Sequence, residues 1–130
     1  MHYEATVDEV RKLVWISYSG VLSLDVGLGL LQAARAKAGE TGYPIVYDLR
    51  QARLHSSLLS LGEYAGKYIA PEAARTHYLP AVHLISPEDN VENWRFYERQ
   101  AQMQGLKLRL FFDEAEAVRW LQQQMPTGAS

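Results

Sequence analysis

The sequence predicts an α/β domain: a mixed, mostly parallel five-stranded sheet that opens with a β-hairpin and is covered by about four helices. Three observations carry this. Short apolar runs of strand character alternate with longer stretches of helical period from residue 20 onwards. Serine or aspartate stands just ahead of most of the helical stretches, as N-caps do. No repeat, long linker or low-complexity tract interrupts the alternation, so one domain is expected over residues 1–123, with a flexible tail over 124–130.

Tyr3, Ala5 and Val7 alternate with Glu4, Thr6 and Asp8, the period of a half-buried strand. Lys12 to Ser19 is rich in β-branched and aromatic residues and pairs back as a hairpin, with Gly20 expected to end it. Ser23 caps a first helix whose stripe is Leu24, Leu28, Leu31, Ala34 and Ala38, with Gly39 and Gly42 as stops. Tyr43 to Leu49 reads as a central strand, followed by a basic loop and a second helix from about Ser57, carrying Leu58, Leu61, Ala65, Tyr68 and Ile69. Pro71 is expected to stop or bend that helix. Leu79 to Ile85 reads as a strand, and Ser86, Pro87 and Asp89 as the start of a helix that buries Val91, Trp94, Tyr97 and Ala101. Leu106 to Phe112 is the last strand, and Asp113 with Glu116 caps a final helix carrying Ala117, Val118 and Leu121. Helices joining successive strands imply right-handed crossovers and a largely parallel sheet, with the hairpin as an antiparallel edge.

Composition narrows function by exclusion. Thirteen Lys and Arg against fifteen Asp and Glu leave a formal charge of −2, so no basic field draws the chain to nucleic acid or to an anionic membrane. The absence of cysteine removes disulfides, thiolate metal sites and cysteine nucleophiles together. The N-terminal MHYEATVDEVRK lacks the pattern of a signal peptide, and Val21 to Ala34 is too short and too polar to span a membrane, so a cytoplasmic location is expected. Histidines 2, 55, 77 and 83 lack the close spacing of a metal site, and no phosphate loop or dinucleotide glycine pattern is present. No cofactor and no metal are expected.

The element order, the Asp48-Leu49 pair, the serines at 56 and 57 and the closing segment GLKLRLFFDEAEAVRWL together resemble the STAS superfamily, the fold of anti-sigma-factor antagonists of the SpoIIAA type. The segments AVHLI, NWRFYE and LFFDEAEAVRWL are similar to a branch of small bacterial SpoIIAA-like, or STAS/Sec14-like, proteins. The resemblance implies a non-enzymatic regulatory module that docks on protein partners, an anti-sigma-type kinase or itself as a homodimer. It also implies that Ser57 or Ser56 stands where the antagonists are phosphorylated, although His55 or Ser56, depending on the alignment, replaces the acid that frames that motif and Leu58 replaces its glycine. The Sec14-like label suggests an alternative, a small carrier or sensor of an apolar or lipid-like ligand.

Ser56, Ser57, Arg50, Arg53 and His55 thus form a candidate phosphoacceptor or anion site, while the plainer reading of the serines is helix capping. Asp48, at a strand end, is a candidate for a ligand or partner, or else a simple ion-pair partner of Arg50. A triad of Ser57, His55 and Asp48 lacks the nucleophile elbow that would expose it, so no enzyme activity is expected. Phe96 and Met103, seven residues apart on the third helix, form a candidate interface stripe, whereas Trp94 and Tyr97 are expected to pack on the sheet. His83, between Val82 and Leu84 in a strand, reads as a hydrogen-bonded interior or interface group.

Overall fold

A computed structural model describes residues 3–125. The elements are β1 (Tyr3–Asp8), β2 (Leu13–Leu22), α1 (Leu24–Thr41), β3 (Ile45–Leu54), α2 (Leu58–Tyr64), a π turn (Ala65–Ile69), α3 (Ala70–Arg75), β4 (Ala81–Ile85), α4 (Val91–Met103), β5 (Leu108–Phe111) and α5 (Glu114–Gln124). The strands lie side by side in sequence order, β1 antiparallel to β2 and the rest parallel, so the chain is the mixed α/β sheet that the alternation predicts. With α2, the π turn and α3 taken as one irregular helix, four helices cover it. Gln124, placed in the tail expected over 124–130, is helical, and residues 126–130 and His2 lie outside the described residues.

Side chains alternate across the sheet and divide the core in two. Ile45, Tyr47 and Leu49 of β3, with Ala81 and Ile85 of β4, face a large cluster built with α1, α2, α3 and α4. Val46, Val82 and Leu84 face the other way and pack under α5 with Ala117, Val118 and Leu121, alongside Leu13 of β2. Asp113 caps α5 by accepting from the Glu116 N–H at 2.9 Å, as its spacing predicts. Ser23 caps α1, and Gly42 ends it in the left-handed region at φ 75°, where its N–H bonds back to the Ala38 carbonyl.

Several boundaries differ from the sequence reading, each for a local reason. Residues 50–54 belong to β3 rather than to a basic loop, and Gly20 lies inside β2 rather than at its end. Ser17 pairs with Asp48, but Ser19 pairs with Gln51, so β3 carries one extra residue opposite Tyr18. This bulge shifts the buried positions from 45, 47 and 49 to Ala52, and a strand whose alternation slips reads as a loop. Pro71 does not stop the helix; it stands in the first turn of α3, where its missing N–H costs least, just after the π turn. Ser86 to Asp89 form a turn closed by the Asp89 N–H on the Ser86 carbonyl, and the cap of α4 is Asn90, which accepts from Asn93. Asp89 is unavailable as a helix acid because its carboxylate bonds the Leu54 N–H and the Trp94 indole.

Leu121 is fully buried in the smaller cluster, whose packing rests on a single helix. Leu121→Ala should lower the unfolding free energy by about 2–5 kcal/mol, measured by urea denaturation.

Candidate functional site

The residues from 48 to 57 do not converge on one site. Asp48 accepts two bonds from the Arg50 guanidinium, at 2.8 Å each, and one from its backbone N–H at 3.3 Å, and Arg50 reaches on to Glu114 at 3.3 Å at the start of α5. Burial raises the Asp48 carboxyl, but the Arg50 guanidinium and backbone N–H outweigh it and hold the group below the ordinary carboxylate range. Arg50 and Asp48 therefore belong to the α5 side of the sheet, whereas Ser57 opens α2 on the opposite side. Arg53 is exposed and donates to its neighbour's carbonyl, Ala52, at 3.0 Å, and the His55 side chain is also exposed.

The paired serines separate. Ser57 is an exposed N-cap, accepting from the Ser60 N–H at 3.1 Å and donating to the Ser60 hydroxyl at 2.9 Å. Ser56 turns its hydroxyl inwards, where it is buried without a partner, while its carbonyl accepts from the Asn93 side chain at 3.1 Å. The stripe expected from Phe96 and Met103 does not form, because Phe96 is half-buried against α2 beside Gly62, and only Met103 is left exposed.

Ser56 is one of the residues lining a partly enclosed cavity of about 50 Å³ between the sheet and the helices above it. Parallel register sets Tyr47 of β3 beside His83 of β4, and their rings stack with centroids 4.7 Å apart. Trp94 and Tyr97 of α4 close on the same imidazole at 5.4 and 5.6 Å, and Tyr64 of α2 meets Tyr97 at 6.1 Å. Leu22, Leu30, Leu31 and Leu61 supply apolar wall, and Arg35 of α1 enters it as the one charged residue of the lining. Gly27 also lines it, and a β-carbon there would sit 3.4 Å from the Tyr64 hydroxyl, so the helix approaches closely at that point.

Arg35 is 4% exposed. One terminal nitrogen donates to the Thr76 hydroxyl at 2.9 Å and to the Leu79 carbonyl at 3.0 Å, while Nε has no partner. Burial raises the Tyr47 phenol and the Arg35 guanidinium works against that rise; burial also raises the phenols of Tyr64 and Tyr97. His83 is pushed down to about 3, by burial first and by the Arg35 charge second, so its imidazole is neutral at physiological pH. Among the described residues, four buried side-chain polar atoms lack a partner, Arg35 Nε, Tyr47 Oη, Ser56 Oγ and His83 Nδ1, whereas Glu72 Oε2, which makes no hydrogen bond, lies 3.2 Å from the Arg75 guanidinium. All four belong to residues that line this cavity. The lining thus combines aromatic faces, leucine side chains and one buried guanidinium.

The sequence carried one direct sign of this site. Arg35 stands four residues after Leu31 and three before Ala38, a charge on the apolar stripe of α1. The meeting of Tyr47 and His83 depends on parallel pairing between strands 36 residues apart, which periodicity does not fix. Among the described residues, no helix is long and apolar enough to cross a membrane, and no three side chains cluster as a metal site requires. In comparison with known proteins, no family model matches the chain and no curated protein matches it in sequence.

The neutral His83 makes stability pH-dependent in a defined direction. Its folded value is depressed to about 3 from the ordinary 6.5, so the unfolded chain takes up a proton that the folded chain refuses as pH falls through that window. Its contribution is complete above pH 6.5 and is lost towards about pH 3, with a slope of at most about 1.4 kcal/mol per pH unit. His83→Phe, which keeps an aromatic ring in the stack, should flatten the acid limb of a stability-against-pH curve measured by urea denaturation.

Proposed function

We propose that the protein is a non-enzymatic binding module that senses or carries a small, largely apolar ligand with one polar end. The observation that carries this reading is an aromatic cavity whose lining includes Arg35, Tyr47, Ser56 and His83, each with a buried polar atom that makes no hydrogen bond within the chain. The volume of about 50 Å³ argues for a compact ligand, since an acyl chain would have to displace much of the core around it.

Regulation through a protein partner, the role suggested by the resemblance to SpoIIAA-type antagonists, is compatible with ligand binding. The α2 helix forms one wall of the cavity through Leu61 and Tyr64, and on its outer side Leu58 and Leu59 are 47% and 74% exposed. A shift of that wall would change the apolar surface offered to a partner. A phosphorylation switch would rest on Ser57, since the Ser56 hydroxyl is buried, and it would act on the same helix.

Protein-observed NMR against a library of small fragments tests the binding reading. Binding fragments should shift the signals of Tyr47, His83 and Trp94 together, and Leu61→Phe, which fills cavity volume, should weaken them by about tenfold, or 1.4 kcal/mol, while unfolding stays cooperative. Fragments that shift only surface residues, or that are indifferent to Leu61→Phe, would refute it.

A further inference from the structure

Arg35 is a buried cation for which the fold provides no anion. Among the described residues, no carboxylate comes within the 4.0 Å of an ion pair to it. Glu72, on α3 one turn before Thr76, pairs with Arg75 at 3.2 Å instead. The two acceptors that Arg35 does have, the Thr76 hydroxyl and the Leu79 carbonyl, are neutral and share a single terminal nitrogen. A desolvated guanidinium held only by neutral acceptors is costly, and an anion placed against its free edge offsets that cost.

The other unpartnered groups fit the same occupant. The Tyr47 and Ser56 hydroxyls can each donate to an oxygen acceptor, and Arg35 Nε–H is a third donor. The remaining lining is mostly leucine and aromatic, which a fully hydrated polyanion would gain little from entering. A volume of about 50 Å³ corresponds to about four water-sized groups.

Resting on the reading of this cavity as a ligand site, we infer that its ligand is a short-chain monocarboxylate, with the carboxylate seated on Arg35 Nε and the Tyr47 hydroxyl and the alkyl end against Leu30, Leu31 and Trp94. Charge and shape are both required. An alcohol of the same length fills the space and leaves the guanidinium uncompensated, and an amine adds a second cation. Inorganic phosphate carries the charge but has no apolar body to bury.

The test compares four probes on the full chain by ligand-observed NMR: propionate, propan-1-ol, propylamine and inorganic phosphate. Propionate should bind at least about tenfold more tightly than propan-1-ol and inorganic phosphate, as expected for a charge-assisted bond made in a desolvated site, with no binding of propylamine. Arg35→Gln should abolish the advantage of propionate over propan-1-ol, and Tyr47→Phe should reduce it while leaving the fold intact. Should Arg35→Gln fail to fold, the comparison on the unaltered chain still decides. Equal binding of propan-1-ol and propionate at the cavity overturns the carboxylate and leaves the ligand site standing. Phosphate binding as tightly as propionate overturns the monocarboxylate, and failure of all four probes together with the fragment library overturns both readings.

Discussion

Right-handed crossovers between strands that lie side by side in sequence order send α1, the α2–α3 segment and α4 to the same face of the sheet. The opposite face is left to α5, which follows the last strand and needs no crossover. One side of the molecule is therefore thick and the other thin. On the thick side, three helical units must share the span of five strands, and the space between them is filled by rings from β3, β4, α2 and α4 rather than by aliphatic side chains alone. Flat rings leave gaps at their edges that branched chains would close, and the cavity lies in that gap.

Arg35 ties this side together. Its bonds to Thr76 and to the Leu79 carbonyl fix α1 against the end of α3 and against the approach to β4. Thr76 passes the contact on, since its hydroxyl also bonds the Glu72 and Ala73 carbonyls at the end of its helix. Hydrogen bonds to a buried charge contribute about 1.5–3 kcal/mol, more than surface pairs of the same length. The thin side uses charge differently. Asp8, Arg11, Glu114, Arg50 and Asp48 form a half-exposed chain of ion pairs from the first hairpin across the start of α5 to β3. That chain accounts for Asp48 and Arg50 without recourse to a ligand.

The architecture was legible in the sequence because its signals are local. Ser23, Asp113 and Gly42 act at helix ends as their chemistry requires, and Ala117, Val118 and Leu121 are buried as their spacing predicts. The bulge in β3 was not legible, since one extra residue reverses the alternation on which strand recognition relies. The cap of α4 was misread because Asp89 serves the far end of β3 and the Trp94 indole, contacts 35 and five residues away. The candidate site was the least legible part. Ser56 and Ser57 are adjacent in sequence, yet one faces the interior and the other the solvent, and the residues that line the cavity with Ser56 arrive from eight separate elements.

The helical wall over the cavity consists of a seven-residue α2, a five-residue π turn and a six-residue α3. Neither α segment is long enough to be stable as an isolated helix, and the π turn and Pro71 interrupt the regular bonding that would let them support each other. Their helicity is conditional on what lies beneath them: Leu61, Tyr64, Ala65, Ile69 and Ala73 hold the backbone in place only while they are packed. Helical order in this wall and the packing of the side chains beneath it are thus set together, so a cavity-creating substitution under the wall is felt by its backbone as well as by the core.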